Sequence, residues 1–257
     1  MKSLERSLCA KKEMGSKLLV TYITGGLDDQ WIEVLHAVAD AGADAVEVGI
    51  PFSDPMIDGP IIQEASQRAL NVGATPMSVF AALGSLELEI PIAVMTYYNL
   101  IHHAGEGRFA QWMSDASVSG AIFPDLSFEE GGSWRKIAQE RDIETVQLVA
   151  PSTPDDRAAM LCEESRGFVY AVGVMGTTGE RSEIQSSALA ISKRLKLITN
   201  KTVLVGIGVS NSEQAKAVSE VADGVVVGSA LVRRLLEGEG PRGAYNFVAE
   251  LRKAIDS

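Results

Sequence analysis

Eight short apolar stretches recur along the chain, each followed by a longer helix-like segment, and few folds accommodate that alternation. The strand-like stretches fall at 18–24, 45–50, 92–96, 120–123, 145–149, 168–172, 202–205 and 224–227. Between them lie amphipathic or alanine-rich segments such as 30–41, 76–88, 133–141, 187–197 and 212–221, with a last one at 243–255. Such alternation implies parallel strands joined by right-handed crossovers. Eight units favour a closed (β/α)8 TIM barrel over an open doubly wound sheet, and 257 residues is a usual length for one such barrel. No Ser/Pro/Gly-rich linker marks a boundary, so residues 1–257 are expected to form a single barrel domain. The segment 4–14 is expected to be an extra helix closing the barrel floor. Low-complexity tracts and internal repeats are absent from the sequence.

Charge and cysteine content narrow the function classes. With 23 basic and 34 acidic residues the formal charge is −11, which argues against broad binding of nucleic acid or of an anionic membrane. A small anionic substrate fits that charge, because backbone N–H groups supply a local positive site whatever the net balance. Cys9 and Cys162 are too few for a disulfide framework and read as free thiols in a reducing cytoplasm. The charged start MKSLER lacks the apolar core of a signal peptide, and no apolar stretch reaches membrane-spanning length.

The segment 46–60, VEVGIPFSDPMIDGP, places two carboxylates where packing alone would not. Along the stretch at 45–50, Val46, Val48 and Ile50 share one face, and Ala45, Glu47 and Gly49 share the other. In a closed parallel barrel the small residues face the interior and Glu47 joins them. An unpaired carboxyl there carries a desolvation cost and a raised pKa, whereas a strand-end Glu that reaches solvent or an arginine carries neither. Asp58 follows eleven residues later in a loop stiffened by Pro51, Pro55, Gly59 and Pro60, which can return a side chain over the strand it left. Asp58 can equally cap the helix that begins near Ile61; Asp54 reads as a turn or cap residue.

Active sites of such barrels form at the carboxyl ends of the strands. After the seventh strand comes Gly206-Ile207-Gly208, and after the eighth Gly228-Ser229, with Ser229 opening a short helix over 230–236. A phosphate at that helix start would receive N–H donors and the positive end of the helix dipole, so both loops together point to phosphate binding. The loop after the sixth strand, GVMGTTGERS at 173–182, has the length and glycine content of a lid. No lysine stands at the carboxyl end of a strand, which argues against a Schiff-base mechanism. His36 reads as a helix residue and His102-His103 as a loop pair, and no three-ligand metal site is apparent.

The run PFSDPMIDGP, together with LVTYITGG, MTYYN, FPDL, GTTG and GIGVS in this order, resembles the tryptophan synthase alpha chain family over essentially the whole sequence. The decapeptide is the specific element; the glycine motifs alone indicate only a phosphate-binding barrel. The resemblance implies a lyase that splits indole-3-glycerol phosphate into indole and D-glyceraldehyde 3-phosphate by retro-aldol cleavage. By the same resemblance Glu47 is the general acid/base and Asp58 the carboxylate facing the indole N–H. It further implies that Tyr22 packs against the indole, that Tyr97 lines the pocket near Glu47, and that Tyr170 flanks the substrate. Thr178 of the lid is then expected to bond Asp58 on closure, with Gly179, Gly208, Gly228 and Ser229 holding the phosphate.

The same likeness implies a beta chain partner, in an alpha2beta2 assembly, that carries pyridoxal phosphate and consumes the indole; this chain is expected to need no cofactor of its own. The loop at 55–59 and the region 99–103 are the expected docking surfaces. The chain departs from the family at Gly25-Gly26-Leu27-Asp28, where relatives usually carry an acidic residue and a proline after the first glycine, at Met175 and Thr177 in the lid, and at Leu100. Glu47 and Asp58 are untouched by these changes. Rival readings are a stand-alone lyase releasing free indole, another phosphate-binding barrel such as an isomerase, and a catalytically idle barrel that only activates a beta chain.

Overall fold

The computed structural model describes residues 2–173, 181–206 and 208–257. Eight parallel strands close into a barrel in sequence order: β1 Leu18–Thr24, β2 Ala45–Gly49, β3 Ile92–Met95, β4 Gly120–Ile122, β5 Glu144–Val149, β6 Val169–Val172, β7 Val203–Gly206 and β8 Gly224–Val227. Closure is direct, with Leu18 opposite Gly224 and Thr21 opposite Val227. The fold is a (β/α)8 TIM barrel, and each strand lies within a residue or two of its sequence-based position.

Helices cover the outside: α1 Leu4–Glu13, α2 Trp31–Asp40, α3 Pro60–Asn71, α4 Pro76–Gly84, α5 Tyr98–Ala104, α6 Glu106–Asp115, α7 Gly132–Gln139, α8 Asp155–Glu164, α9 Arg181–Ile198, α10 Ser212–Ser219, α11 Ser229–Leu236 and α12 Gly240–Ile255. The period-two alternation divides the strands into two sets of contacts. Val46, Val48, Val94, Val203, Val205 and Val225 belong to the layer between strands and helices, where most of the apolar surface is buried. Leu18, Val20, Ala45, Ala93, Ile122, Val146, Leu204 and Val226 fill the barrel interior.

The expected floor helix is α1. Leu4 and Leu8 are fully buried among the interior residues, and Gly120 gives Leu4 its space, since a Cβ there would lie 2.8 Å from Leu4 Cδ2. Burying two leucines is worth on the order of 3–6 kcal/mol. Polar contacts tie the same end together. Asp44 accepts from Lys11 Nζ at 2.5 Å, Leu19 N at 2.7 Å and Arg252 at 3.0 Å, and Asp223 pairs with Lys196 at 2.8 Å.

One expectation is corrected. His102 and His103 lie in the last turn of helix α5, not in a loop. That helix has only seven residues, too few for apolar periodicity to show, and its start is held by the distant Asp125, which accepts from Tyr98 N at 2.9 Å. Thr178 and Gly179 of the lid lie outside the described residues.

Candidate active site

Glu47 sits at the middle of β2 between two inward-facing small residues, Ala45 and Gly49, and is 1% exposed. Among the described residues neither of its carboxylate oxygens has a hydrogen-bond partner. Burial, and secondarily the nearby charge of Asp58, push its carboxyl up to about 8. At neutral pH Glu47 is therefore a protonated acid inside the barrel.

Asp58 reaches the same chamber from the loop after β2. The loop is held in shape by its own turn, with Asp58 N donating to Pro55 O at 3.1 Å, and by Gln63, whose amide donates to Asp58 O at 2.9 Å. Gly59 occupies the N-cap of α3, with Pro60 at the first helical position, so the helix starts without using the Asp58 side chain. The capping alternative for Asp58 is thus not the one adopted. Asp54 instead accepts from the Ser53 hydroxyl at 2.6 Å.

The Asp58 carboxylate accepts from the Tyr97 hydroxyl at 3.1 Å, and that same hydroxyl accepts from Ile57 N at 3.1 Å. Burial pushes the Asp58 carboxyl up to about 6, with the Tyr97 bond opposing the rise. The family resemblance puts Tyr97 beside Glu47; its hydroxyl goes to Asp58, and Phe52 stacks on its ring at 5.0 Å between centroids. Phe52 is a participant that no sequence signal beyond its place in the decapeptide marks out.

Tyr22 and Tyr170 line the barrel interior beside these carboxyls. Tyr22 lies opposite Glu47 in the β1–β2 register, and its ring covers Gly49, where a Cβ would overlap the hydroxyl. Tyr170 on β6 covers Gly206 of β7 in the same way. Both glycines are needed because the rings occupy the volume a side chain would take. Burial pushes both phenols above their ordinary range, Asp58 adding to the effect at Tyr22 and Glu47 at Tyr170, so both remain neutral.

The glycine corner lies at the start of α11. Gly228 is the N-cap of α11, its carbonyl accepting from Leu231 N at 2.9 Å and Val232 N at 3.0 Å. Ser229 opens the helix, exposed to solvent, and no acidic residue stands in the first turn. The leading N–H groups and the dipole of α11 are thus available to an anion. Gly208 has φ +95°, a conformation that a side chain would strain. A Cβ on Gly228 would lie 3.3 Å from Tyr22 Cβ, which sets this corner against the base of the aromatic wall. Among the described residues no group of three His, Cys, Asp or Glu could hold a metal ion, and no helix is long and apolar enough to cross a membrane.

Comparison with known proteins shows the family of the chain. The family model described as tryptophan synthase alpha chain matches residues 8–255. A tryptophan synthase alpha chain from a Synechococcus species is 41% identical over 253 residues, covering 95% of this chain and 94% of that one. The Streptomyces coelicolor alpha chain is 39% identical over 260 residues, covering 98% and 96%. Among solved structures, Mycobacterium tuberculosis tryptophan synthase superposes with a TM-score of 0.90 at 34% identity, covering 98% of this chain and 97% of that one. The alpha subunit from Legionella pneumophila superposes with a TM-score of 0.87 at 30% identity, covering 100% and 99%. With the family model spanning nearly the whole barrel and full-length relatives at about two residues in five identical, this chain belongs to the tryptophan synthase alpha chain family.

Proposed function

We propose that Glu47 is the proton carrier and Asp58 the fixed negative charge in the lyase reaction of this family, the retro-aldol cleavage of indole-3-glycerol phosphate to indole and D-glyceraldehyde 3-phosphate. The observation that carries the assignment is the contrast between two carboxyls, Glu47 buried with no hydrogen-bond partner among the described residues and Asp58 accepting from the Tyr97 hydroxyl at 3.1 Å, in keeping with Glu47 pushed up to about 8 and Asp58 only to about 6. A pair of titratable groups driven apart by their surroundings is how acid and anionic roles are divided at one pH.

Protonated Glu47 delivers its proton to indole C3, and the positive charge that develops on the ring nitrogen faces ionised Asp58. The carboxylate left on Glu47 takes the proton of the side-chain hydroxyl. As that oxygen becomes a carbonyl, the bond between C3 and the side chain breaks and its electrons restore the indole. Glu47 ends protonated, as it began. Tyr22 and Tyr170 supply the apolar walls for the indole, and Gly208, Gly228 and Ser229 hold the phosphate, with Thr178 and Gly179 of the lid assigned to closure.

In this reading the indole passes to a beta chain carrying pyridoxal phosphate, in an alpha2beta2 assembly in the cytoplasm, and this chain uses no cofactor itself. The docking surface is the loop at 55–59 with the region 99–103, supported by the exposure of Met56 at 89% and Ile57 at 56%.

Indole formation from indole-3-glycerol phosphate by the purified chain, with Glu47→Gln and Asp58→Asn beside it, tests the assignment. Activity of the wild type no higher than that of either variant would refute it. Loss of ionised Asp58 at low pH and of protonated Glu47 at high pH predicts a bell-shaped kcat/KM with limbs near 6 and 8. Co-elution with a beta chain on gel filtration tests the partner, and failure to co-elute or to raise activity counts against it.

A further inference from the structure

Tyr97 stands at the N-cap of α5, a position where a Ser, Thr, Asp or Asn side chain normally accepts from the first N–H groups. Its own side chain makes no such bond, because the ring is stacked on Phe52 and the hydroxyl is engaged with Asp58 and Ile57. The missing acceptor comes from another strand. Asp125, in the loop after β4, accepts from Tyr98 N through both carboxylate oxygens, at 2.9 and 3.1 Å. A charged acceptor on a helix N–H is a strong form of cap, and it places negative charge at the positive end of the helix.

The connection onward is short. Tyr98 is the residue after Tyr97, so holding its N–H fixes the backbone from which the Tyr97 ring projects. That ring in turn touches the catalytic loop at three points: Phe52 by stacking, Ile57 through its backbone N–H, and Asp58 through its carboxylate. We propose that Asp125 is a positioning residue for Asp58, acting through the start of α5 and the Tyr97 hydroxyl. It does not touch the reacting atoms. The inference rests on the reading of Asp58 as the fixed charge of the lyase reaction.

The consequence is electrostatic. Tyr97 is the group that lowers the Asp58 carboxyl, against burial, while Glu47 on β2 faces it as a protonated acid and Tyr22 on β1 and Tyr170 on β6 as neutral phenols. Loosening Tyr97 therefore raises the pH at which Asp58 ionises. In the complete chain, the carbon-13 titration of the Asp58 carboxyl is expected to move up by about 0.5–1 pH unit in Asp125→Ala. Tyr97→Phe should move it by as much, Asp125→Asn, which keeps an acceptor for Tyr98 N–H, should restore the original midpoint, and Asp125→Ala added to Tyr97→Phe should move it no further. The acid limb of kcat/KM should follow, with a roughly 3- to 10-fold loss at pH values well below the old midpoint.

An unmoved Asp58 titration in Asp125→Ala, or an equal movement with Tyr97 already replaced by Phe, overturns the proposal. If the titration moves as expected while kcat/KM does not, the positioning stands and the catalytic reading of Asp58 falls. If Asp58→Asn abolishes activity while the Asp125→Ala titration is unmoved, the positioning falls and the reading stands.

Discussion

Two glutamates point into this barrel at different heights, and their surroundings differ. Glu144, first residue of β5, is 6% exposed at the floor, where its carboxylate accepts from the Ser3 hydroxyl at 2.5 Å and from Glu5 N at 2.7 Å. Glu47, at the middle of β2, is more deeply buried and has no partner among the described residues. Burial pushes both carboxyls up, but at Glu144 the bonds from Ser3 and Glu5 pull against it. Helix α1 is what separates the two cases: its N-terminal turn offers the Ser3 hydroxyl and the Glu5 N–H to Glu144 while its leucines plug the floor. The lesson is that a buried carboxyl serving stability is given donors, whereas the one proposed for proton transfer is left without them among the described residues.

The comparison breaks most visibly in activity. Glu47→Gln is expected to lower kcat by about 100- to 10,000-fold, while Glu144→Gln leaves the rate of indole formation within a few-fold of wild type. A large loss in Glu144→Gln with the fold intact by circular dichroism would erase the distinction between the two glutamates.

Stability against pH gives the next largest effect. Below the ordinary glutamate value near 4.5 the Glu47 carboxyl is protonated in both the folded and the unfolded chain, and it contributes no penalty. As pH rises from there to about 8 the unfolded chain ionises this group and the folded chain does not, so folding is progressively disfavoured, and the cost is constant above that range. The advantage of Glu47→Gln over wild type in urea unfolding should therefore grow by on the order of 3–5 kcal/mol between pH 4 and pH 9. A pH-independent difference between the two proteins would contradict the assignment of the raised carboxyl to Glu47.

Glu144→Leu tests the floor in the opposite sense. It strands the Ser3 hydroxyl and the Glu5 N–H and should cost about 1–3 kcal/mol in denaturant unfolding at neutral pH. The smallest effect is expected at Lys11, whose ammonium pairs with Asp44 but is itself 40% exposed. Lys11→Met should cost less than about 1 kcal/mol and leave the rate of indole formation unchanged.

Much of the site is legible in the amino-acid sequence alone. Glu47 faces the interior because strand side chains alternate, and the alternation can be counted from Ala45 to Gly49. Ser229 opens a helix behind a glycine, and that motif too is contiguous. The position of Tyr97 is not legible in the same way. Its hydroxyl serves Asp58 39 residues earlier in the chain, and the helix it introduces is capped by Asp125, 27 residues beyond Tyr98. Helix α5 and its two histidines escape a sequence reading for the same reason, since a cap supplied from another strand leaves no local signal.

By itself, the sequence determined the eight-fold alternation, the inward face of each strand, the glycine loops and the two carboxylates, because all of these are set by residues close together along the chain. The tertiary structure decided which carboxyl is left without a partner. Ser3 and Glu5 meet Glu144 only after α1 folds under the barrel, and Asp58 meets Tyr97 only after its loop returns over the strands. A raised or lowered acidity depends on those distant neighbours and on the water that closure removes, neither of which is encoded at the titrating residue.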